Sequence, residues 1–136
     1  MESLTAHVDG AARGNPGPAG IGVVLTDPDG NVVKEIAEPL GSTTNNVAEY
    51  TSLIRALEEA RSLGCRRIAV VTDSELMARQ IAGKYAVKAS HLRILFVRAV
   101  ELLREFDSAS VTHTRRENNR HADKLSNLGA DKAQGK

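Results

Sequence analysis

Four acidic side chains stand where a carboxylate is either costly or aimed at something. Asp9 closes the apolar run LTAHVD, Asp73 closes IAVVTD, Glu49 falls near the end of the stretch TTNNVAEY, and Asp123 follows His121 by two residues near the end of the chain. A charge at the end of a buried strand is expensive to desolvate. Each of the four also has an ordinary local explanation. Asp9 before Gly10 fits an Asx turn, and Asp73 fits a helix N-cap. Glu49 fits a capping box with Asn46 or the helix dipole, and Asp123 fits a solvated helix face. Brought to one place, the four would repel and hold protons unless a divalent cation neutralised them. A set of hard oxygen donors suits Mg²⁺ or Mn²⁺, with water and phosphate completing the coordination.

For that to happen, the strands carrying Asp9 and Asp73 must be parallel neighbours, with helices bringing Glu49 and Asp123 to their ends. The pattern of the chain supports this. LTAHVD (4–9) reads as a first strand, after which Gly10 opens a loop through ARGNPGP. GIGVVLT (20–26) is a second strand, Asp27-Pro28-Asp29-Gly30 a turn, and NVVKEIAEPL (31–40) a third strand pairing back on it. From residue 46 the period changes: Val47, Tyr50, Leu53, Ile54, Leu57 and Ala60 recur at helical spacing, and Gly64 ends the helix. RRIAVVT (66–72) reads as a buried strand, and 74–82 and His91–Phe106 as helices. SASVTHT (108–114) is a last strand, and the final helix begins at Asn118 or Asn119. The order predicts an α/β domain over 1–130: a five-stranded mixed sheet, an antiparallel three-strand meander plus two parallel strands, with helices on both faces. Residues 131–136 read as a polar, disordered tail.

Composition removes other classes. The chain has 136 residues and one cysteine, Cys65, so neither a disulfide scaffold nor a cysteine-based zinc finger can be built. No apolar run approaches the roughly 20 residues of a membrane span. The start MESLTAHVDG lacks a signal-peptide pattern, which predicts a cytoplasmic protein. No G-x-x-x-x-G-K-[ST] loop supports a nucleotide switch. The net charge of +1 hides an uneven distribution: residues 61–104 carry nine basic and three acidic side chains, against three and nine in 1–60. A basic face is therefore available to a polyanion. With two Tyr, two Phe and no Trp, stacking on unpaired bases is a poor option, leaving backbone and shape as the means of holding nucleic acid.

The segments HVDGAARGNPGPAGIG (7–22), TTNNVAEY (43–50), VVTDSELM (70–77) and HTRRENNRHADKLSN (113–127) together resemble the four signatures of type 1 ribonuclease H, in order and along nearly the whole chain. The resemblance implies the ribonuclease H-like fold and places that family's D-E-D-D metal set on Asp9, Glu49, Asp73 and Asp123. It implies hydrolysis of the RNA strand of an RNA/DNA hybrid by two-metal catalysis with Mg²⁺, Mn²⁺ substituting, to give 5′-phosphate and 3′-hydroxyl ends.

By the same resemblance Asn15, Asn45 and Asn46 contact RNA 2′-hydroxyls, although turn and cap formation would equally explain them. Thr44 and Asn15 match positions that hold a DNA phosphate. The arginine that many members carry two residues before that threonine is Ser42 here, which leaves Arg13 as a possible support. His113 matches a loop histidine that assists proton transfer or product departure, and Arg116 matches an arginine that short members use for that task. The sequence offers both. A Lys/Trp-rich basic protrusion found in many bacterial members is absent; GKYAVKASH (83–91) takes its place, so Lys84, Lys88 and their neighbours should grip the DNA strand less firmly. This short form is similar to archaeal-type and actinobacterial members, some of which carry a fused phosphatase-like domain. No protein partner is evident, and a monomer is expected. Two alternatives stand beside this reading: a nuclease of the same fold acting on double-stranded RNA, and a nucleic-acid-binding module without turnover.

Overall fold

The computed structural model describes residues 2–136. Its elements run β1 (Ser3–Ala12), β2 (Gly17–Thr26), β3 (Val32–Thr43), α1 (Asn45–Ser62), β4 (Arg67–Thr72), α2 (Glu75–Ile81), α3 (Ser90–Leu103), β5 (Ser108–His113) and α4 (Arg120–Ala133), with a 3₁₀ turn at Arg116–Asn118. The sheet order is β3-β2-β1-β4-β5. β1, β2 and β3 pair antiparallel, whereas β4 pairs parallel with both β1 and β5. This is the mixed α/β sheet expected, with β1 at its centre.

The two faces of the sheet are filled differently. Leu4, Ala6 and Val8 of β1 and Val23 and Leu25 of β2 alternate toward the main core, where they meet Tyr50, Leu53, Leu57, Leu92 and Leu102 from α1 and α3. On the opposite face α4 lies on β2 at backbone contact. A side chain on Gly20 or Gly22 would overlap the backbone of α4, which is why the strand carries glycine at both positions. Tyr50, buried in the main core, donates its hydroxyl to Gln80 Oε1 at 2.6 Å and so ties α1 to α2. Burial pushes the Tyr50 phenol up to about 12.

Three local expectations are corrected. Gly10 does not open a loop: β1 continues to Ala12, pairing with Ala19, and the hairpin closes with the Arg13 N–H on the Pro18 carbonyl at 2.8 Å. Asp9 is therefore in the middle of an extended ladder and makes no turn. Residues 131–133 are helical, and Arg13 Nη1 pairs with Asp131 Oδ1 and donates to Gln134 Oε1 at 2.7 Å. The polar end of the chain is thus engaged with the β1–β2 hairpin.

Candidate active site

Val8 of β1 stands beside Thr72 of β4 in parallel register, so the next residue on each strand, Asp9 and Asp73, lies at the same carboxyl edge. That edge is where open α/β sheets place their ligands. α1 contributes the third group. Its N-cap is Thr44, whose hydroxyl accepts the Val47 N–H at 3.3 Å, so Asn46 and Glu49 form no capping box. Glu49 turns toward the sheet instead, and its Oε1 accepts the Gly10 N–H at 2.7 Å. Asp73 is likewise free of capping duty, because Ser74 caps α2 through the Met77 N–H at 3.2 Å.

Asp9, Glu49 and Asp73 each offer a carboxylate oxygen, and these three oxygens lie within 4.8 Å of one another. Asp9 is 4% exposed and Glu49 5%, so two of the three charges have almost no water to solvate them. Burial first, then the Asp73 and Asp123 charges, push Asp9 up to about 8 against the opposing hydrogen bond from Ser126. Glu49 is pushed well up by burial, then by Asp9 and Asp73. Three carboxylates held this way, with hard oxygen donors only, fit a divalent cation. The acids pay for proximity that a cation would turn into attraction.

Asp123 is the partial exception. It sits in the first turn of α4 and lines the same cavity of about 540 Å³, but it lies outside the three-oxygen group. Arg116 Nη2 stands 3.6 Å from its Oδ1, and Asn127 Nδ2 donates to its main-chain carbonyl at 2.9 Å. The expectation of four acids at one point becomes three converged acids and a fourth on the wall of the same cavity.

The remaining candidates separate by position. Arg13, Asn45 and Arg116 line the cavity with the acids; Arg13 does so while its guanidinium is held by Asp131, Gln134 and Asn127. Asn15 Oδ1 accepts the Asn45 N–H at 3.1 Å, joining the β1–β2 hairpin to the start of α1. Thr44 is half-buried as the cap, and Asn46 is exposed beside it. His113, Lys84 and Lys88 are exposed and lie outside the cavity lining, His113 at the end of β5 and the lysines between α2 and α3. Two buried polar residues were not anticipated. Ser126 donates to Asp9 Oδ2 at 2.5 Å, and Asn119 Nδ2 donates to the Val8 carbonyl at 2.9 Å. Their spacing from Asp123, three residues after and four before, was the available signal, since both fall on its helical face.

Sheet order, crossover and buried acids define a class: an α/β domain whose acidic, cation-fitting cavity opens at the carboxyl edge of its parallel strands. Residues 7–129 match the family described as Reverse transcriptase-like. The chain is 46% identical over 128 residues to the ribonuclease HI of Halobacterium salinarum, covering 94% of this chain and 64% of that one. It is 34% identical to the ribonuclease H of Methylococcus capsulatus, covering 95% and 90%. The solved LC11-RNase H1 in complex with an RNA/DNA hybrid superposes with a TM-score of 0.91 at 44% identity, over 96% of this chain and 99% of that one. The chain belongs to the type 1 ribonuclease H family. It spans 64% of the Halobacterium relative and 36% of a bifunctional protein of Mycobacterium tuberculosis that it matches at 41% identity.

Proposed function

We propose that this domain hydrolyses the RNA strand of RNA/DNA hybrids, leaving 5′-phosphate and 3′-hydroxyl ends, with Mg²⁺ as its cofactor and Mn²⁺ as a substitute. The observation that carries the reading is the group of three carboxylate oxygens within 4.8 Å, gathered from α1 and from β1 where it passes the end of β4. Asp9, Glu49 and Asp73 would hold the cations, with Asp123 completing the set from α4. When bound, two such cations supply the Lewis-acid charge that activates water and neutralises the leaving 3′ oxygen.

The chain's own groups supply the rest. The hydrogen bond from Gly10 fixes one oxygen of Glu49, and Ser126 fixes one of Asp9, so both carboxylates are oriented before substrate arrives. Asn15 and Asn45, joined between the β1–β2 hairpin and α1, and Asn46 beside them offer short polar groups to the 2′-hydroxyls that distinguish RNA from DNA. Thr44 and Asn15 stand at the α1 N-terminus, which favours a phosphate of the DNA strand. Arg116, on the cavity wall, is placed to meet phosphate charge near Asp123 during product departure, with His113 as the alternative assistant. The protein acts as a monomer without a protein partner.

The test is cleavage of an end-labelled RNA/DNA hybrid beside matched double-stranded RNA, double-stranded DNA and single-stranded RNA, each with Mg²⁺, Mn²⁺ or EDTA. Metal-dependent loss of the RNA strand in the hybrid alone, abolished in Asp73→Asn, supports the proposal. Cleavage of double-stranded RNA at a comparable rate, or binding without cleavage under either metal, would replace it.

A further inference from the structure

Ser126 is fully buried inside α4, one turn beyond Asp123. Its hydroxyl stands 2.5 Å from Asp9 Oδ2 and 2.8 Å from the main-chain carbonyl of Asp123. A hydroxyl has one proton to give. Helical serines ordinarily return it to a carbonyl of the preceding turn. Here a carboxylate on another element competes, and it is both the nearer and the stronger acceptor when ionised.

That meeting depends on how closely the helix and sheet approach. Asp9 and Gly22 are register partners on β1 and β2, and a side chain on Gly22 would overlap the backbone at Ala122 and Ser126. Asn119, 1% exposed at the start of α4, donates to the carbonyl of Val8, the residue before Asp9. The helix is thus pinned on β1 through Asn119, and Ser126 faces the acid from a fixed distance.

We propose that Ser126 is a positioning residue for Asp9. By engaging one lone pair of Oδ2 it stops the carboxylate from turning about its last torsion, and it presents the remaining lone pairs to the cavity shared with Glu49 and Asp73. Because Ser126 and Asp123 share α4, the bond to Asp9 also ties the acid on the sheet to the helix that carries the acid on α4. The inference rests on the metal-dependent reading above.

The experiment is Mn²⁺ titration of the metal-free full chain, followed by electron paramagnetic resonance of the free ion and by calorimetry. It compares the wild type with Ser126→Ala and with Ser126→Cys, which keeps nearly the same volume but donates poorly. Both variants are expected to bind Mn²⁺ about tenfold more weakly, the usual consequence of removing a group that orients a metal ligand. Their melting temperatures in EDTA should stay near that of the wild type. Turnover should recover as Mg²⁺ is raised, so the loss appears in the metal requirement and not in kcat at saturation. Mn²⁺ affinity within twofold of the wild type in the folded variants overturns the proposal, whether or not stability falls, because the hydroxyl would then serve packing alone. If Ser126→Ala fails to fold, Ser126→Cys carries the comparison. A wild type that binds no Mn²⁺ would instead sink the metal-dependent reading itself, a distinguishable result.

Discussion

Glu49 Oε1 accepts the amide proton of Gly10 at 2.7 Å, tying the helix that carries one acid to the strand that carries another. The bond exists because the α1 backbone rests on β1 where Gly10 has no side chain; a methyl there would overlap the backbone of Ala48 and Glu49.

Gly10→Ala should therefore force α1 away from β1 and lower stability by about 1–3 kcal/mol, the usual range for overpacking. Urea unfolding followed by circular dichroism would measure it. An unchanged midpoint would show that α1 can shift without cost.

Stability should also depend on pH in the absence of metal. Asp9 is pushed up to about 8 in the folded state from an ordinary value of 3.8, so the folded chain binds the proton more tightly than the unfolded one. Its contribution is complete below the unfolded value and is lost as pH rises through the folded one. His7 runs the other way, since burial and then His121 lower it, and its protonation costs stability on the acid side. Between pH 6.5 and 8.5 the Asp9 effect should dominate. The melting temperature in EDTA is expected to fall across that interval, 10 mM Mg²⁺ should flatten the profile, and Asp9→Asn should make it shallower, the buried Glu49 carboxyl keeping a slope of the same sign. A flat profile for the wild type in EDTA would contradict the account.

Removing a converged acid should be worse for catalysis than for folding. Asp9→Asn, Glu49→Gln and Asp73→Asn each relieve repulsion in the metal-free protein, so their melting temperatures in EDTA should match or exceed the wild type. Their hybrid cleavage should fall on the order of 10³-fold, since metal-held charge stabilisation amounts to several kcal/mol. Single-turnover assays at fixed Mg²⁺ would show the loss in the chemical step.

Arg116 and His113 can be told apart by the same assay. Arg116 lines the cavity 3.6 Å from Asp123, whereas His113 is exposed outside its lining. Arg116→Ala should lower turnover more than His113→Ala; the reverse order would assign the assisting role to the histidine.

Hybrid binding should show a shallow salt dependence. Lys84 and Lys88 stand apart from the cavity, and Arg13 is already paired with Asp131. The slope of log affinity against log salt should correspond to fewer than about eight phosphate contacts. A steeper slope would mean that the basic residues of 61–104 grip the backbone together.

Much of this protein is legible along the chain because periodicity and punctuation act over a few residues. Short apolar runs marked the strands of Asp9 and Asp73, helical spacing marked α1, and four motifs in series marked the family. Errors fell where a local rule met a distant partner. Gly10 punctuates a loop by rule, yet it continues β1 because β2 pairs with it as far as Ala12. Glu49 has the spacing of a capping box with Asn46, yet it bonds a backbone amide 39 residues away. Asp73 sits where an N-cap belongs, but Ser74 caps the helix and leaves the acid to the cavity. Ser126 bonds an acceptor 117 residues earlier, a pairing that no local rule draws. Side-chain types and element order are properties of the chain, set by short-range sterics and hydrophobic spacing. Which acids converge, which one stands apart, and which hydroxyl orients them follow from the close packing of α1 and α4 on glycines of the sheet, and that packing exists only once the chain has folded.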